Sequence, residues 1–116
     1  MDNQLTNKIS SEVEIDIIVH QELMPLRGNY ISSGDNAYDT EQEDKILADL
    51  EWNEWAWCHV EVKGTWHGIQ ASAHLGCCSY ESEKDFIEGG YYDDMKYQVV
   101  QELTAIAQAI REAAKQ

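Results

Sequence analysis

Residues 54–80, EWAWCHVEVKGTWHGIQASAHLGCCSY, hold three of the four histidines and all three cysteines of the chain. Imidazole, carboxylate and thiolate are zinc-ligand types, so a metal site built from His59, Glu61, His74 and Cys78 is the sharpest chemistry this stretch could do. The spacing opposes it: no paired zinc signature is present, and a sheet holds alternate side chains side by side rather than closing them around an ion. A thiol nucleophile, Cys78 with His59 as its base, is the second chemistry these types allow, and no motif accompanies it. Phosphate loops, G-x-S-x-G, H-E-x-x-H and dinucleotide fingerprints do not occur in the sequence. No catalytic residue, metal or cofactor is therefore assigned, and a non-enzymatic protein is expected.

The elements that carry these residues can be read from periodicity. His67-Gly68 sits between two runs of alternating character and resembles the Asn-Gly of a two-residue hairpin turn. That turn fixes a register in which Trp66 faces Ile69, Val62 faces Ala73, Val60 faces Leu75 and Cys58 faces Cys77, all on one apolar side. The other side then carries Trp55, Trp57, His59, Glu61 and Lys63 against Gln70, Ser72, His74 and Cys78, with Glu61 across from His74. Cys58 and Cys77 read as small buried hydrophobes, and an odd number of cysteines without C-x-x-C fits reduced thiols in a cytoplasm.

Upstream, EVEIDIIVH (residues 12–20) alternates Val13, Ile15, Ile17 and Val19 with Glu12, Glu14, Asp16 and mostly polar neighbours, the period of a half-buried strand whose place in the sheet the sequence leaves open. Residues 21–39 contain the only proline and read as a long irregular connection, expected to cover Trp55 and Trp57 or else leave them to a partner. Thr40 with Glu43 forms a capping box ahead of Ile46, Leu47 and Leu50 at helical spacing. Ser82 with Asp85 starts a short helical turn that Gly89 and Gly90 end. From Asp93 or Asp94 a last helix carries Met95, Val99, Leu103, Ile106 and Ile110 on one face, with Tyr91 and Tyr92 as a staple before it. The expected fold is α+β in the order β-α-β-β-α: a small antiparallel sheet with a central hairpin, one face covered by helices, in a single domain over 1–116 whose first ten residues are flexible.

Charge is the most extreme feature. Acids number 22 against 8 Lys plus Arg, a net charge of −14, which repels nucleic acid and anionic membranes and favours a basic protein partner. No segment has the basic-then-apolar pattern of a signal peptide or approaches the roughly 20 apolar residues of a membrane span. The acids are concentrated. Asp35, Asp39, Glu41, Glu43, Asp44, Asp49, Glu51, Glu54 and Glu61 face Lys45 alone, and Glu81, Glu83, Asp85, Glu88, Asp93 and Asp94 face Lys84 alone, which leaves the remainder of the chain at −1. Acids at helix N-termini and solubility account for some of them. The candidate partner-binding residues are Asp35, Asp39, Glu41, Asp44, Asp49, Glu51, Glu54, Glu81, Glu83, Asp85, Asp93 and Asp94, with Trp55 and Trp57.

The segments WAWCHVEV, LGCCSYES and GGYYDDM, within residues 18–104, resemble a group of small, functionally uncharacterised acidic proteins encoded in bacteriophage and prophage genomes. The resemblance carries over no catalytic residue. It implies action in a bacterial cytoplasm, where small acidic phage proteins often block the basic channels of nucleic-acid-binding defence complexes. The expectation is an anti-CRISPR-like or anti-restriction inhibitor, in place of DNA on a basic host protein. The alternatives are a phage structural or housekeeping protein that self-associates through Trp55 and Trp57, and a metal- or thiol-dependent enzyme.

Overall fold

His67 and Gly68 both have positive φ, 48° and 81°, the backbone of a two-residue hairpin turn that matches the twist of its strands. The computed structural model describes residues 3–115, in which this hairpin supplies two of the three strands of the sheet. Strand β2 (Cys58–Trp66) pairs with β3 (Ile69–Cys78) as Trp66 with Ile69, Val62 with Ala73 and Val60 with Leu75, the register the turn dictates. Strand β1 (Glu14–Gln21) pairs antiparallel with the free side of β2, setting Ile17 beside Val62 and Val19 beside Val60, so the order is β1-β2-β3 with the middle strand central.

Beyond Leu75 the register slips. An extra residue in β3 makes Cys78, rather than Cys77, the partner of Cys58, and Cys77 takes a positive φ of 55°. This β-bulge turns Cys78 onto the core face, where it is 5% exposed, and moves Cys77 off it; the expected places of these two cysteines are exchanged.

One face of the sheet is covered. Helix α4 (Tyr91–Ala114) lays Met95, Val99 and Leu103 over Val60, Val62 and Ala73, and Gly64 lets it come close: a Cβ at position 64 would lie 2.4 Å from Val99 Cγ1. The helix starts at Tyr91, within whose first turn Tyr92 packs on Phe86 while Tyr91 stays exposed. Its buried stripe drifts to Val100, Thr104 and Ala107, and Ile110, expected inside, is 53% exposed. Helix α3 (Glu83–Glu88) is capped as its sequence predicts, Ser82 Oγ accepting from Asp85 N at 3.2 Å, and buries Phe86 against Trp55.

Two further helical starts differ from expectation. Residues 3–10 are not a flexible lead-in: α1 (Asn3–Glu12) buries Leu5 and Ile9, one turn apart, in the main core and runs beside α4. Helix α2 (Asn36–Asp49) begins ahead of Thr40, because Asp35 caps it by accepting from Tyr38 N at 3.1 Å. Glu43 faces inward with Ile46, accepting from Gly28 N at 3.1 Å and Arg27 Nη1 at 3.3 Å, while Leu47 and Leu50 are exposed.

Helix α2 does not lie on the sheet. Ile46 joins Leu26, Ala56 and Trp57 in a second, smaller core beside the bulge. The chain extends over 62 × 26 × 22 Å with a radius of gyration of 18.2 Å, against about 13 Å for a globule of this length. No helix among the described residues is long and apolar enough to cross a membrane.

Candidate functional site

The uncovered face of the sheet gathers three histidines from three strands. His59 Nε2 and His74 Nδ1 lie 2.9 Å apart, so one nitrogen donates to the other, and the His20 ring stands edge-on to His59 at 5.9 Å. Glu61 lies across from His74 in register, yet its carboxylate turns elsewhere: Ser72 Oγ donates to Oε2 at 2.6 Å and His20 Nε2 lies 2.8 Å from Oε1. The Ser72 hydroxyl, then the His20 ring, hold this carboxyl below its ordinary value. A carboxyl lowered in this way is a weak base toward the Ser72 hydroxyl it holds.

The four residues first read as metal ligands do not converge, because the bulge puts Cys78 on the opposite face from His59, Glu61 and His74. Among the described residues no group of three or more His, Cys, Asp or Glu side chains is arranged to hold a metal ion. The thiols are held in the neutral form. Burial pushes Cys58 up to about 12 and Cys78 up to about 11, and desolvation followed by the charge of Glu22 raises Cys77.

The tryptophans are arranged differently from the strand reading. A 3-10 turn at Glu54–Ala56 interrupts the extended chain before β2, so Trp55 and Trp57 no longer share a sheet face. Trp55 enters the main core against Phe86, with ring centroids 5.7 Å apart, and Tyr80, at 6.3 Å. Trp57 is covered by the 21–39 connection: its Nε1 donates to Met24 O at 2.9 Å, Tyr30 stands edge-on to it, and Leu26 packs against it. At 8% and 5% exposed, neither is open to a partner, which corrects their place among the binding residues and removes the aromatic surface on which the alternative of self-association rested. The exposed indole is Trp52, at 76%. No periodicity marks it, since it lies in the turn after α2; its one sequence signal is the acids on either side.

The acids fall into three kinds. Some build local structure: Asp35 caps α2, Asp39 accepts from Ser33 N and Oγ, Asp44 pairs with Arg27, and Asp85 accepts from Glu81 N at 2.9 Å. Others are exposed in first helical turns, Glu83 in α3 and Asp93 and Asp94 in α4, or stand alone on the surface of α2, as Glu41 does. The third kind meets across the fold. Asp49 from the first acidic run lines one groove with Glu81 and Asp85 from the second, about 490 Å³ between α2 and the chain entering α3, with Lys45, Tyr30 and Trp52 also on its walls. A neighbouring groove of about 460 Å³ holds Glu22, Glu51 and Glu54, and Trp52 and Asn53 border both.

Asn53 fixes the two walls to each other. Its Nδ2 donates to Glu81 O at 3.1 Å, its Oδ1 accepts from Trp55 N at 3.1 Å, and Tyr80 N donates to Trp55 O at 2.7 Å. Glu22, which the sequence did not single out, ties the bulge to the connection: it accepts from Met24 N and Cys77 N, and these two N–H groups, in that order, lower its carboxyl. The grooves are therefore acidic, partly aromatic and rigid at the base. Comparison of the chain with known protein families, with curated proteins and with solved structures finds no match.

Proposed function

We propose that this protein is a non-enzymatic inhibitor that binds a basic, nucleic-acid-handling protein surface through the acidic grooves on either side of Trp52. The observation that carries the reading is the meeting of two acidic runs, distant in sequence, on one groove: Asp49 stands with Glu81 and Asp85. Such a surface attracts basic protein partners and repels nucleic acid and anionic lipid, so it competes with nucleic acid for a partner rather than binding it. With the phage resemblance, the class of partner is a bacterial defence complex of the CRISPR or restriction kind, and the acids act there in place of DNA phosphates.

The test is capture of partners from bacterial lysate on the tagged protein at low and high salt, followed by displacement with duplex DNA. A nucleic-acid-handling protein held at low salt, released at high salt and displaced by DNA is the expected result. Asp49→Lys, Glu51→Lys and Glu81→Lys together should weaken its binding about tenfold or more while the circular dichroism spectrum stays unchanged. Asp39, Asp44 and Asp85 are unsuitable for reversal because each holds backbone or Arg27 in place. Capture that neither salt nor the triple reversal affects would refute the reading.

A further inference from the structure

Resting on that reading, we infer that Trp52 is the anchor of the surface and that it takes an arginine side chain of the partner, with the guanidinium stacked on the indole and bonded to the flanking carboxylates. Trp52 is the most exposed aromatic side chain of the described residues, at 76%, where Trp55 and Trp57 are buried, and Trp is among the residues most enriched in binding hot spots. Trp52 is also held at its root. Its N–H donates to Asp49 O at 3.1 Å, and the next residue, Asn53, is bonded to Glu81 O, so the backbone beneath the indole is fixed before any partner arrives.

What flanks the indole selects the chemistry. On one side stand Asp49, Glu81 and Asp85, with Lys45 offsetting part of their charge. On the other, Glu51 and Glu54 are exposed beside Glu22, and among the described residues no lysine or arginine lines that groove. A cation is favoured on the indole face, and carboxylates at the rim accept its N–H groups. Arginine meets both demands at once, because its guanidinium is planar, sheds water readily, stacks on aromatic faces and forks onto carboxylates; the lysine ammonium is a hydrated point charge. A hydrophobic anchor would instead have to bury beside these carboxylates without satisfying them.

The experiment uses two probes on the intact protein, octa-arginine and octa-lysine, with affinities measured at low salt by anisotropy of the labelled peptides. The variants are W52A and W52L; leucine keeps apolar bulk without a π face, and the exposure of Trp52 leaves both able to fold, as circular dichroism would check. The expected result is a preference for the arginine peptide whose ratio over lysine falls about three- to fivefold in both variants, the size of one exposed cation–π contact. An arginine-to-lysine ratio that neither variant changes overturns the inference and leaves the acidic-surface reading standing. Failure of the wild-type protein to bind either peptide at low salt overturns both.

Discussion

Replacing Gly64 by alanine tests whether the sheet and α4 pack as closely as the structure shows. The added Cβ would sit 2.4 Å from Val99 Cγ1, 3.1 Å from Val13 Cγ2 and 3.3 Å from Leu103 Cδ1. Ordinary carbon contacts lie at about 3.5–4.0 Å, so the first of these is short by more than about 1 Å. Val99 cannot swing into solvent, being fully buried, and relief requires either an off-rotamer valine or a displaced helix. Overpacking of this kind costs about 1–3 kcal/mol. In an open strand the same substitution would stabilise by about 0.4–1 kcal/mol through the unfolded chain, so the sign of the effect is itself informative. For a domain of this size the loss corresponds to a melting temperature lower by roughly 5–15 °C. Urea and thermal denaturation followed by circular dichroism would measure it. The double variant G64A/V99A sharpens the test: Val99→Ala removes the methyl that collides, so the two losses should fall short of additivity by about 0.5–3 kcal/mol. A G64A protein as stable as the parent, or strictly additive losses in the double variant, would refute the close approach.

Two further predictions concern groups whose ionisation the fold controls. With a disulfide reagent at neutral pH, Cys77 alone should react in the native state, and all three thiols in denaturant, since Cys58 and Cys78 are buried while Cys77, though its thiol is raised as well, is partly exposed; rapid native labelling of Cys58 would contradict the core assignment. Glu22 has its carboxyl lowered from 4.5 by the N–H groups of Met24 and Cys77, so its contribution to stability is full above the unfolded value and drains away as pH falls below 4.5 through the folded one. Urea midpoints measured across that acid range should therefore vary less steeply with pH for Glu22→Gln than for the parent protein, and identical slopes would show that the carboxylate does not tie the bulge.

The hairpin was legible as far as Leu75 because a two-residue turn and a strict period of two determine every pairing outward from His67-Gly68. Legibility stopped at Gly76-Cys77, where an inserted residue leaves no mark on an alternating pattern except the glycine itself. The same limit explains Trp55 and Trp57. Two aromatics two apart read as one strand face, but the 3-10 turn at Glu54–Ala56 rotates them into different cores. Helix α1 was missed because its sequence, NQLTNKISSE, offers only Leu5 and Ile9 as an apolar stripe, and its stability comes from packing on α4 rather than from its own propensity. Of the candidate site, the amount of charge could be counted along the chain. The meeting of Asp49 with Glu81 and Asp85 could not, since it depends on where α2 comes to rest, and that is decided by Ile46, Leu26 and Trp57.

The elongated outline has a consequence for motion in solution. The hairpin tip closes one end of the sheet, while the 3-10 turn that leads into β2 and the α3 helix that follows β3 attach at the other, so the groove where the two acidic runs meet lies away from the tip of an elongated body. Such a molecule carries a large permanent dipole as well as a net charge. In the field of a basic surface it experiences a torque before it makes contact, and rotational diffusion along the approach is biased toward arrival by the acidic groove. Salt would then act twice on the association rate, once by weakening the pull and once by releasing the alignment.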